Sequence, residues 1–257
     1  MVEFVNIFPQ GIEWIHTSEE SVLSNIQGSA ENVVSNNGRY EIVKTGSAEC
    51  QLLIDGKLTD MLINTEWSIL QSTAISDNGL IAMSFGTYDK GILRIFNGDL
   101  TTEVFDEPWV HGFGAGLSIT PDGSRIAIGS PGEKQVYIYD LKKQKDGSLR
   151  RTKRKIILQE NTEGFGSKVG LSDLGRTIAV ASPFGQKQSV DIGAVNIYVL
   201  VEDEWEAVDR ILYGTESILE IGSGGVSVDD ARGMVYVQDI SMIKKNAFKV
   251  SYLLCET

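Results

Sequence analysis

Residues 112–131 read GFGAGLSITPDGSRIAIGSP, and residues 164–183 read GFGSKVGLSDLGRTIAVASP. The two stretches share Gly, Phe, Gly, Ile, Ala, Ser and Pro at the same positions. In each, a turn sequence precedes a short apolar run that is rich in β-branched residues and too short for a helix. A run without polar alternation predicts a strand covered on both faces, as happens when sheets stack. The repetition therefore predicts an all-β repeat protein.

The unit of a turn followed by an apolar run occurs five times along the chain. The copies are SNNGRYEIV from Ser35, SDNGLIAMS from Ser76, TPDGSRIAIGS from Thr120, SDLGRTIAVAS from Ser172 and the degenerate VDDARGMVYV from Val228. In the first four, Ser or Thr stands first and can bond the backbone two residues on, and Gly stands fourth, as in a type I turn. The turn glycines are 41, 44 and 52 residues apart, which is close to one four-stranded propeller blade.

Further strand-like segments complete a four-stranded pattern in most copies. Third strands are predicted at 91–96, 135–139, 193–200 and 249–254, and fourth strands at 155–159 and 205–212. No sustained 3.6-residue apolar stripe occurs, so we expect almost no helix.

We predict an all-β fold in which residues 1–257 form a single β-propeller domain of five four-stranded blades. An open last sheet would expose an edge, so the N-terminal segment GIEWIH (11–16) is expected to supply the outer strand of the last blade. The predicted repeats are about 28–66, 67–110, 111–160, 161–215, and 216–257 together with 1–18.

The segments GFG…SRIAIGSP…QVYIYDL and EGFGSKVGLSDLGRTIAVASP…GAVNIYVL resemble FG-GAP repeats, the blade unit of integrin α-subunit propellers and related bacterial repeat proteins. The resemblance covers about residues 112–212. It implies a propeller, and in the family some blades hold Ca²⁺ in an Asp-rich loop. The matching loops here, around Asp77, Asp122 and Asp173, have one carboxylate each, whereas Ca²⁺ takes six to eight oxygen ligands. We therefore expect no metal and no cofactor.

The inner strands argue against catalysis, since Glu31, Lys168 and Asp229 are their only charged residues. They do not contain the carboxylate pair that glycoside hydrolysis requires. The two histidines of the chain, His16 and His111, leave little material for a histidine metal site or a Ser-His-Asp triad. We therefore predict that the protein is not an enzyme and has no catalytic residues.

Composition also limits the cellular setting and the partners. The N-terminus does not have the pattern of a signal peptide, and no apolar run is long enough to span a membrane, which favours the cytoplasm or a larger particle. Cys50 and Cys255 are interpreted as packing or surface thiols. The net charge of −12 disfavours nucleic acid as a partner of the whole protein.

Aromatic residues collect on one predicted rim, built from the loops between blades and between second and third strands. Exposed aromatics beside Glu66, Asp106 and Glu107 suit stacking on sugars or anchoring of a protein. Packing between blades is the alternative for the two tryptophans, and Phe113 and Phe165 are interpreted as structural. The candidate ligand-binding residues are Trp67, Tyr88, Trp109, His111 and Phe184.

The opposite rim carries a basic hairpin between the third and fourth strands of the third blade. Its sequence, KKQKDGSLRRTKRK (142–155), has a charge of +7, so the rest of the chain carries −19. The same hairpin of the fourth blade is VEDEWEAVD (201–209), with five acidic residues. The charges suit a complementary partner, either another copy of this protein or a phosphate-bearing polymer, although a solvated hairpin that discourages edge pairing is the alternative. The candidate partner-binding residues are Lys142, Lys143, Lys145, Arg150, Arg151, Lys153, Arg154 and Lys155.

These features predict a non-catalytic propeller scaffold that binds another protein, or copies of itself, or serves as a structural component of a larger assembly. A carbohydrate-binding adhesin that uses the aromatic rim is the alternative. A propeller hydrolase or lyase would require carboxylates from loops outside the predicted inner strands.

Overall fold

The protein is all-β in the parts of the chain that its structure, a computed structural model, describes. These parts are residues 5–7, 15–17, 32–44, 49–64, 69–86, 90–96, 102–108, 112–146, 148–158, 162–187, 190–191, 193–208, 212–213, 221–241 and 244–252. None of these segments is helical, as the sequence predicts. Accordingly, the described residues include no apolar helix of membrane-spanning length.

Twenty-four strands are present in the described residues. They are β1 (Val5–Ile7), β2 (Ile15–Thr17), β3 (Asn32–Val34), β4 (Tyr40–Lys44), β5 (Glu49–Ile54), β6 (Lys57–Asn64), β7 (Ile69–Ile75), β8 (Ile81–Gly86), β9 (Lys90–Phe96), β10 (Thr102–Pro108), β11 (Leu117–Ile119), β12 (Arg125–Ser130), β13 (Gln135–Lys143), β14 (Leu149–Leu158), β15 (Lys168–Leu171), β16 (Thr177–Ser182), β17 (Gln186–Lys187), β18 (Val190–Asp191), β19 (Ala194–Val201), β20 (Glu204–Ala207), β21 (Leu212–Tyr213), β22 (Gly225–Asp229), β23 (Met234–Ser241) and β24 (Lys244–Tyr252).

These strands form five main sheets, each within one predicted repeat, and the small β17–β18 hairpin. The first sheet is β3-β4-β5-β6, the second β7-β8-β9-β10 and the third β11-β12-β13-β14, all antiparallel and in chain order. The fourth is β15-β16-β19-β20 and the fifth β22-β23-β24, with further short strands at their outer edges. The chain divides into two compact units, a middle unit (Gln27–Leu158) and a terminal unit (Met1–Ile26 with Gln159–Thr257). The single-domain prediction stays a prediction.

Two N-terminal strands complete the outer edge of the fifth sheet. β2 pairs antiparallel with β24, with His16 opposite Phe248, and β1 pairs parallel further along the same strand, with Asn6 opposite Ser251. The predicted pairing of the N-terminal segment is therefore present in β2, while residues 11–14 of the predicted strand lie outside the described residues and β1 was not expected. A parallel piece was missed because a three-residue strand has no periodicity to read.

Four predicted strand bounds were wrong. The predicted outer strand at 205–212 is split into β20 and β21, which both pair with β19. β24 begins at Lys244 rather than at residue 249. β13 ends at Lys143 rather than at residue 139, and β14 begins at Leu149 rather than at residue 155. The extensions were missed because charged residues interrupt them, so that they do not show the apolar pattern of a buried strand.

Strands β12 and β16 are buried on both faces, as their apolar runs predict. Ile126, Ala127 and Ile128 of β12 are fully buried, as is every residue of β16. In the middle unit, one apolar cluster joins the first and second sheets and another joins the second and third. Within the terminal unit, a third cluster joins the fourth and fifth sheets. Stacking of neighbouring sheets therefore supplies the core inside each unit.

The repeated Gly-Phe-Gly stretch has a packing role. Phe113 and Phe165 are fully buried and meet Tyr137 and Tyr198 edge to face, with ring centroids 5.5 Å and 6.2 Å apart. Each ring thus lies against the third strand of its own sheet. The structural interpretation of both phenylalanines is confirmed.

The second glycine of the stretch allows two sheets to approach closely. Gly114 has a φ of +89°, and a Cβ built there would lie 2.3 Å from the Cβ of Ser84 in the second sheet. Gly222 has a φ of +84°, and its Cβ would lie 2.6 Å from the Cβ of Ala181 in the fourth sheet. The buried pair Ile221-Gly222 is therefore a third copy of the motif, which the sequence comparison did not identify.

The turns between first and second strands are linked to one another in the middle unit. All four predicted turns have the expected hydrogen bond from the glycine N–H to the carbonyl of the first residue. The Asn37 N–H donates to Oδ1 of Asp77 at 2.8 Å, and the Asp77 N–H donates to the carbonyl of Pro121 at 2.7 Å. The side-chain amide of Asn78 donates to the carbonyl of Asp122 at 2.6 Å. These bonds tie three consecutive repeats at one end of their sheets.

Candidate partner-binding surface

The predicted basic hairpin is a two-stranded extension of the third sheet, here called the basic ribbon (residues 141–151). β13 and β14 stay paired past the body of the sheet, and the last pair is Lys143 with Leu149. The ribbon is closed by a tip in which the N–H of Gln144 donates to the carbonyl of Ser148 at 2.7 Å. Its regular pairing holds the cationic side chains on a defined frame.

The ribbon is longer than the equivalent hairpins of the first and fourth sheets. One backbone hydrogen bond marks the same position in all three hairpins. The N–H of Asp55 donates to the carbonyl of Arg39 in the first sheet, that of Leu141 to Ser124 in the third, and that of Leu200 to Arg176 in the fourth. The first sheet turns at this point, and the fourth continues for one more paired residue, to Val201. The third sheet continues for two more paired residues, Lys142 and Lys143, which is about 7 Å of strand past the shared bond.

One face of the ribbon presents cations to solvent. Lys142 and Arg150 are directly opposed and exposed, so their side chains stand on the same face. Asp140 lies on this face too, but its Oδ1 is 2.7 Å from Nε of Arg125. Like charges directly opposed across strands destabilise the pairing. This pair therefore adds nothing to the stability of the sheet.

The other face anchors the ribbon to the protein. Leu141 is buried in the cluster of the second and third sheets, and Leu149 packs against that cluster. The Arg151 guanidinium lies 5.9 Å from the ring centroid of Tyr139, a cation–π distance. The ribbon is thus held by apolar contacts on one side while the opposed cations face outward.

The single acidic residue of the tip, Asp146, makes hydrogen bonds within the tip itself. Asp146 Oδ1 accepts hydrogen bonds from the Ser148 N–H at 3.0 Å and from its hydroxyl at 2.7 Å. These bonds hold the pKa of the Asp146 carboxyl below its usual value. Among the described residues, Lys142, Lys145 and Arg150 make no ion pair. Their charges are therefore available to a partner.

The remaining predicted basic residues lie further along β14. Lys153 and Lys155 pair with Tyr139 and Ile138, and the register shifts between these pairs. Arg154 is the extra residue at this irregularity, so β14 has a β-bulge here. The structure describes only the backbone of these three, so it brings five of the eight predicted cations together on the ribbon.

The predicted aromatic rim is described at one residue only. Phe184 is 53% exposed and lies over Gly164, where a Cβ would be 3.1 Å from its Cδ2. Asp106 and Glu107 belong to β10, where only the backbone is described. Glu66, Trp67, Tyr88, Trp109 and His111 lie outside the described residues.

The inner strands hold few titratable groups. Burial lowers the pKa of Lys168, at the start of β15, and Asp229 lies 3.4 Å from Nη1 of Arg232, while Glu31 lies outside the described residues. Cys50 is a buried cysteine, and Cys255 is outside the described part. The described residues contain no cluster of three His, Cys, Asp or Glu side chains arranged to hold a metal ion.

The acidic hairpin of the fourth sheet (residues 199–207) has an unusual turn. Its two loop residues, Glu202 and Asp203, have φ values of +47° and +68°, the pattern of a type I′ turn, which favours Asn-Gly. The first sheet makes the corresponding turn with Asp55-Gly56, at +50° and +72°. Sequence reasoning identified the acidic composition here but not the backbone conformation that presents it.

The fold has known counterparts. No protein-family model and no curated protein matches the chain. A candidate 6-phosphogluconolactonase from Bacteroides uniformis is similar over 100% of this chain and 80% of its own, with a TM-score of 0.59 and 11% identity. A protein from Lactobacillus plantarum is similar over 98% and 84%, with a TM-score of 0.58 and 13% identity.

Hydrazine synthase from Kuenenia stuttgartiensis is a third similar structure, with a TM-score of 0.54 and 12% identity. The match covers 84% of this chain but spans only 56% of the hydrazine synthase chain. The structures that this chain resembles include β-propeller proteins, and they include both enzymes and non-enzymes. At these identities the likeness concerns the fold alone.

Proposed function

We propose that this protein is a non-catalytic β-propeller scaffold that binds an acidic surface of another protein through the basic ribbon. In this proposal the five sheets are blades of one propeller, and β1 and β2 complete the last blade. The observation that carries the proposal is the directly opposed, exposed pair Lys142 and Arg150 on a ribbon anchored from its other face. The FG-GAP assignment stays a prediction.

Electrostatics support an interaction role for this pair. Opposed cations weaken the ribbon by about 0.2–1 kcal/mol in the free protein, and carboxylates of a partner would reverse that effect. Complementary charges across an interface raise the association rate and select the partner. Anchoring by Leu141 and Leu149 reduces the ordering cost that a loose loop would incur on binding.

An acidic polypeptide fits the ribbon better than a nucleic acid does. The whole chain has a net charge of −12, which repels either kind of polyanion at long range, so the choice between them depends on the residues of the ribbon itself. The segment 142–155 contains no aromatic residue, whereas single-strand binding uses aromatic stacking. Tyr139, the nearby ring, is buried beneath Arg151.

Binding to labelled polyglutamate, with duplex DNA as the comparison, tests the proposal. The test variant is Lys142→Gln with Lys145→Gln and Arg150→Gln. At about 0.3–1 kcal/mol for each exposed ion pair, we expect polyglutamate affinity to fall about 5- to 100-fold. The affinity of the wild type should fall steeply with salt.

The matched control removes three exposed cations elsewhere, by Arg39→Gln, Lys57→Gln and Arg232→Gln. It has the same net charge as the test variant and should bind polyglutamate as the wild type does. Equal binding by both variants would refute the ribbon as the contact. Tighter, ribbon-dependent binding to DNA would instead identify a phosphate polymer as the partner.

Carbohydrate binding is a second candidate because Phe184 is exposed, and exposed aromatic rings stack on sugars. The test is binding to a glycan array by the wild type and by Phe184→Ala. Loss of a glycan signal in the variant, with an unchanged melting temperature, would favour this candidate. A wild type that binds no glycan would exclude it.

A further inference from the structure

We infer that the acidic surface recognised by the basic ribbon is the acidic hairpin (residues 199–207) of a second copy of this chain. The inference rests on the proposed function and names its partner. The first support for this inference is charge complementarity. The ribbon has five cationic residues, and the described acidic hairpin has Glu202, Asp203, Glu204 and Glu206. Opposite charge at the rim of a contact fixes which surfaces meet.

The two surfaces occupy equivalent positions in their repeats. Leu141 and Leu200 make the same backbone hydrogen bond, to Ser124 and Arg176, which aligns the two hairpins residue by residue. In this alignment the opposed pair Lys142 and Arg150 corresponds to the opposed pair Val201 and Glu204. On this face, the position of Arg150 in the third sheet is therefore acidic in the fourth, where it is Glu204, and the position of Lys142 is apolar, where it is Val201.

Backbone conformation at the acidic turn supports a role in binding. Glu202 and Asp203 both have positive φ, which costs an L residue such as Glu about 1–2 kcal/mol and Asp less. Asp55-Gly56 shows that this fold makes the same turn with a glycine. Strain that is retained where a better residue exists is a pointer to function. Here it keeps two carboxylates at the tip of the hairpin.

Apolar groups lie beside the acidic residues. Val201 is 41% exposed and stands on the same face as Glu204. Leu174 is 69% exposed, in the turn that precedes Arg176 at this end of the fourth sheet. The alkyl stems of Lys142 and Arg150 can cover such groups while their charged ends meet the carboxylates. An apolar centre with a charged rim is the usual layout of a protein interface.

A ribbon-to-hairpin contact made twice across a two-fold axis gives a dimer, and the same contact made once with each neighbour builds a ring or an open chain of copies. Two hairpins bury less than the about 1,200 Å² of a stable interface. We therefore expect weak, salt-sensitive association, with a dissociation constant of about 10 µM to 1 mM.

Sedimentation velocity of the full chain at low and high salt tests this inference. The ribbon variant carries Lys142→Glu, Lys145→Glu and Arg150→Glu, and the hairpin variant carries Glu202→Lys, Glu204→Lys and Glu206→Lys. We expect the wild type to sediment faster with rising concentration at low salt only. Each variant alone should stay monomeric, and their mixture should associate again because both contacts are complementary after the exchange.

Net charge makes the mixture informative. Each substitution changes the charge by two, so the wild-type value of −12 becomes −18 in the ribbon variant and −6 in the hairpin variant. Both proteins remain negative, so only local complementarity can bring them together. A control with Arg39→Glu, Lys57→Glu and Arg232→Glu also has −18 and should associate like the wild type.

Three results overturn the inference: a wild type whose sedimentation does not change with concentration, a hairpin variant that still associates, or a mixture that stays monomeric. If polyglutamate binding still depends on the ribbon, the inference fails and the proposed function stands. If it does not, both fail. Circular dichroism and melting of each variant check that the fold is retained.

Discussion

Replacing Gly114 by alanine tests why the Gly-Phe-Gly stretch is repeated. The residue has a φ of +89°, and a Cβ would lie 2.3 Å from the Cβ of Ser84 and 2.9 Å from its Oγ. The substitution adds a positive-φ cost of about 1–2 kcal/mol and an overpacking cost of about 1–3 kcal/mol. We expect the free energy of unfolding to fall by about 2–5 kcal/mol.

Two other glycines separate these costs. Gly38 has a φ of +70° and no atom within 4 Å of a Cβ position, so Gly38→Ala should cost only about 1–2 kcal/mol. Gly91 has no positive φ, but a Cβ there would lie 2.4 Å from the Cβ of Phe113. Gly91→Ala should therefore show the overpacking cost alone, about 1–3 kcal/mol.

Equilibrium denaturation in urea gives the free energies, and thermal melting checks them at about 2–4 °C per kcal/mol. The Ser84→Gly background removes the Cβ that Gly114→Ala would meet, so the cost of Gly114→Ala should fall there to about 1–2 kcal/mol. Equal destabilisation by Gly114→Ala and Gly38→Ala would refute the close-approach argument. So would a cost that is unchanged in the Ser84→Gly background.

Three further predictions concern the acidic turn, one turn carboxylate and the N-terminal strands. The double substitution Glu202→Asn with Asp203→Gly should raise the free energy of unfolding by about 1 kcal/mol in urea denaturation, because Asn-Gly suits a type I′ turn; a loss of stability would contradict that turn assignment. Burial of Asp122 favours its neutral form, but hydrogen bonds from neighbouring hydroxyl and N–H groups outweigh burial and lower the pKa of the carboxyl from 3.8. The stability that this carboxylate provides is therefore present above pH 4 and lost as the pH falls through the lowered value. Melting between about pH 6 and pH 2 should show a smaller acid-induced loss in Asp122→Asn than in the wild type, and parallel curves would contradict the assignment. Deleting residues 1–18 should lower the melting temperature by several degrees, at about 2–4 °C per kcal/mol, since β24 loses both outer partners, whereas an unchanged melting temperature would show that those pairings contribute nothing.

The regular part of the fold was predictable because it repeats a local chemical pattern. A Ser or Thr, then a Gly three residues later, then an apolar run, specifies a turn and a buried strand without reference to distant residues. The third copy of the Gly-Phe-Gly motif was missed because Ile221 replaces the phenylalanine. The available signal was spacing, since Gly114 and Gly222 both stand three residues before the first strand of their sheet.

The candidate site was only partly predictable. Composition identified the basic segment, but the length of the ribbon depends on Leu141 and Leu149, which pack on the core from either side of the charged run. The opposition of Lys142 and Arg150 depends on the register of β13 and β14, and a one-residue slip would place the two charges on different faces. Register is a property of the paired strands, and neither segment contains it alone.

In this fold, the residues packed between sheets follow the repeated pattern, whereas the hairpins between third and fourth strands differ from sheet to sheet. We therefore look for function in these hairpins. Residues that join neighbouring sheets, such as Gly114 and Ser84, leave no room for a larger side chain at Gly114, because each fits against the other sheet. A hairpin between third and fourth strands extends past that packing, so its length and charge can change without disturbing it. The first sheet turns at Asp55, the fourth extends to an acidic tip and the third to a cationic ribbon. If this reasoning holds, moving the sequence 141–151 onto the first sheet in place of Asp55-Gly56 would transfer polyglutamate binding there, whereas a graft that folds without binding would show that the ribbon acts only in its own setting.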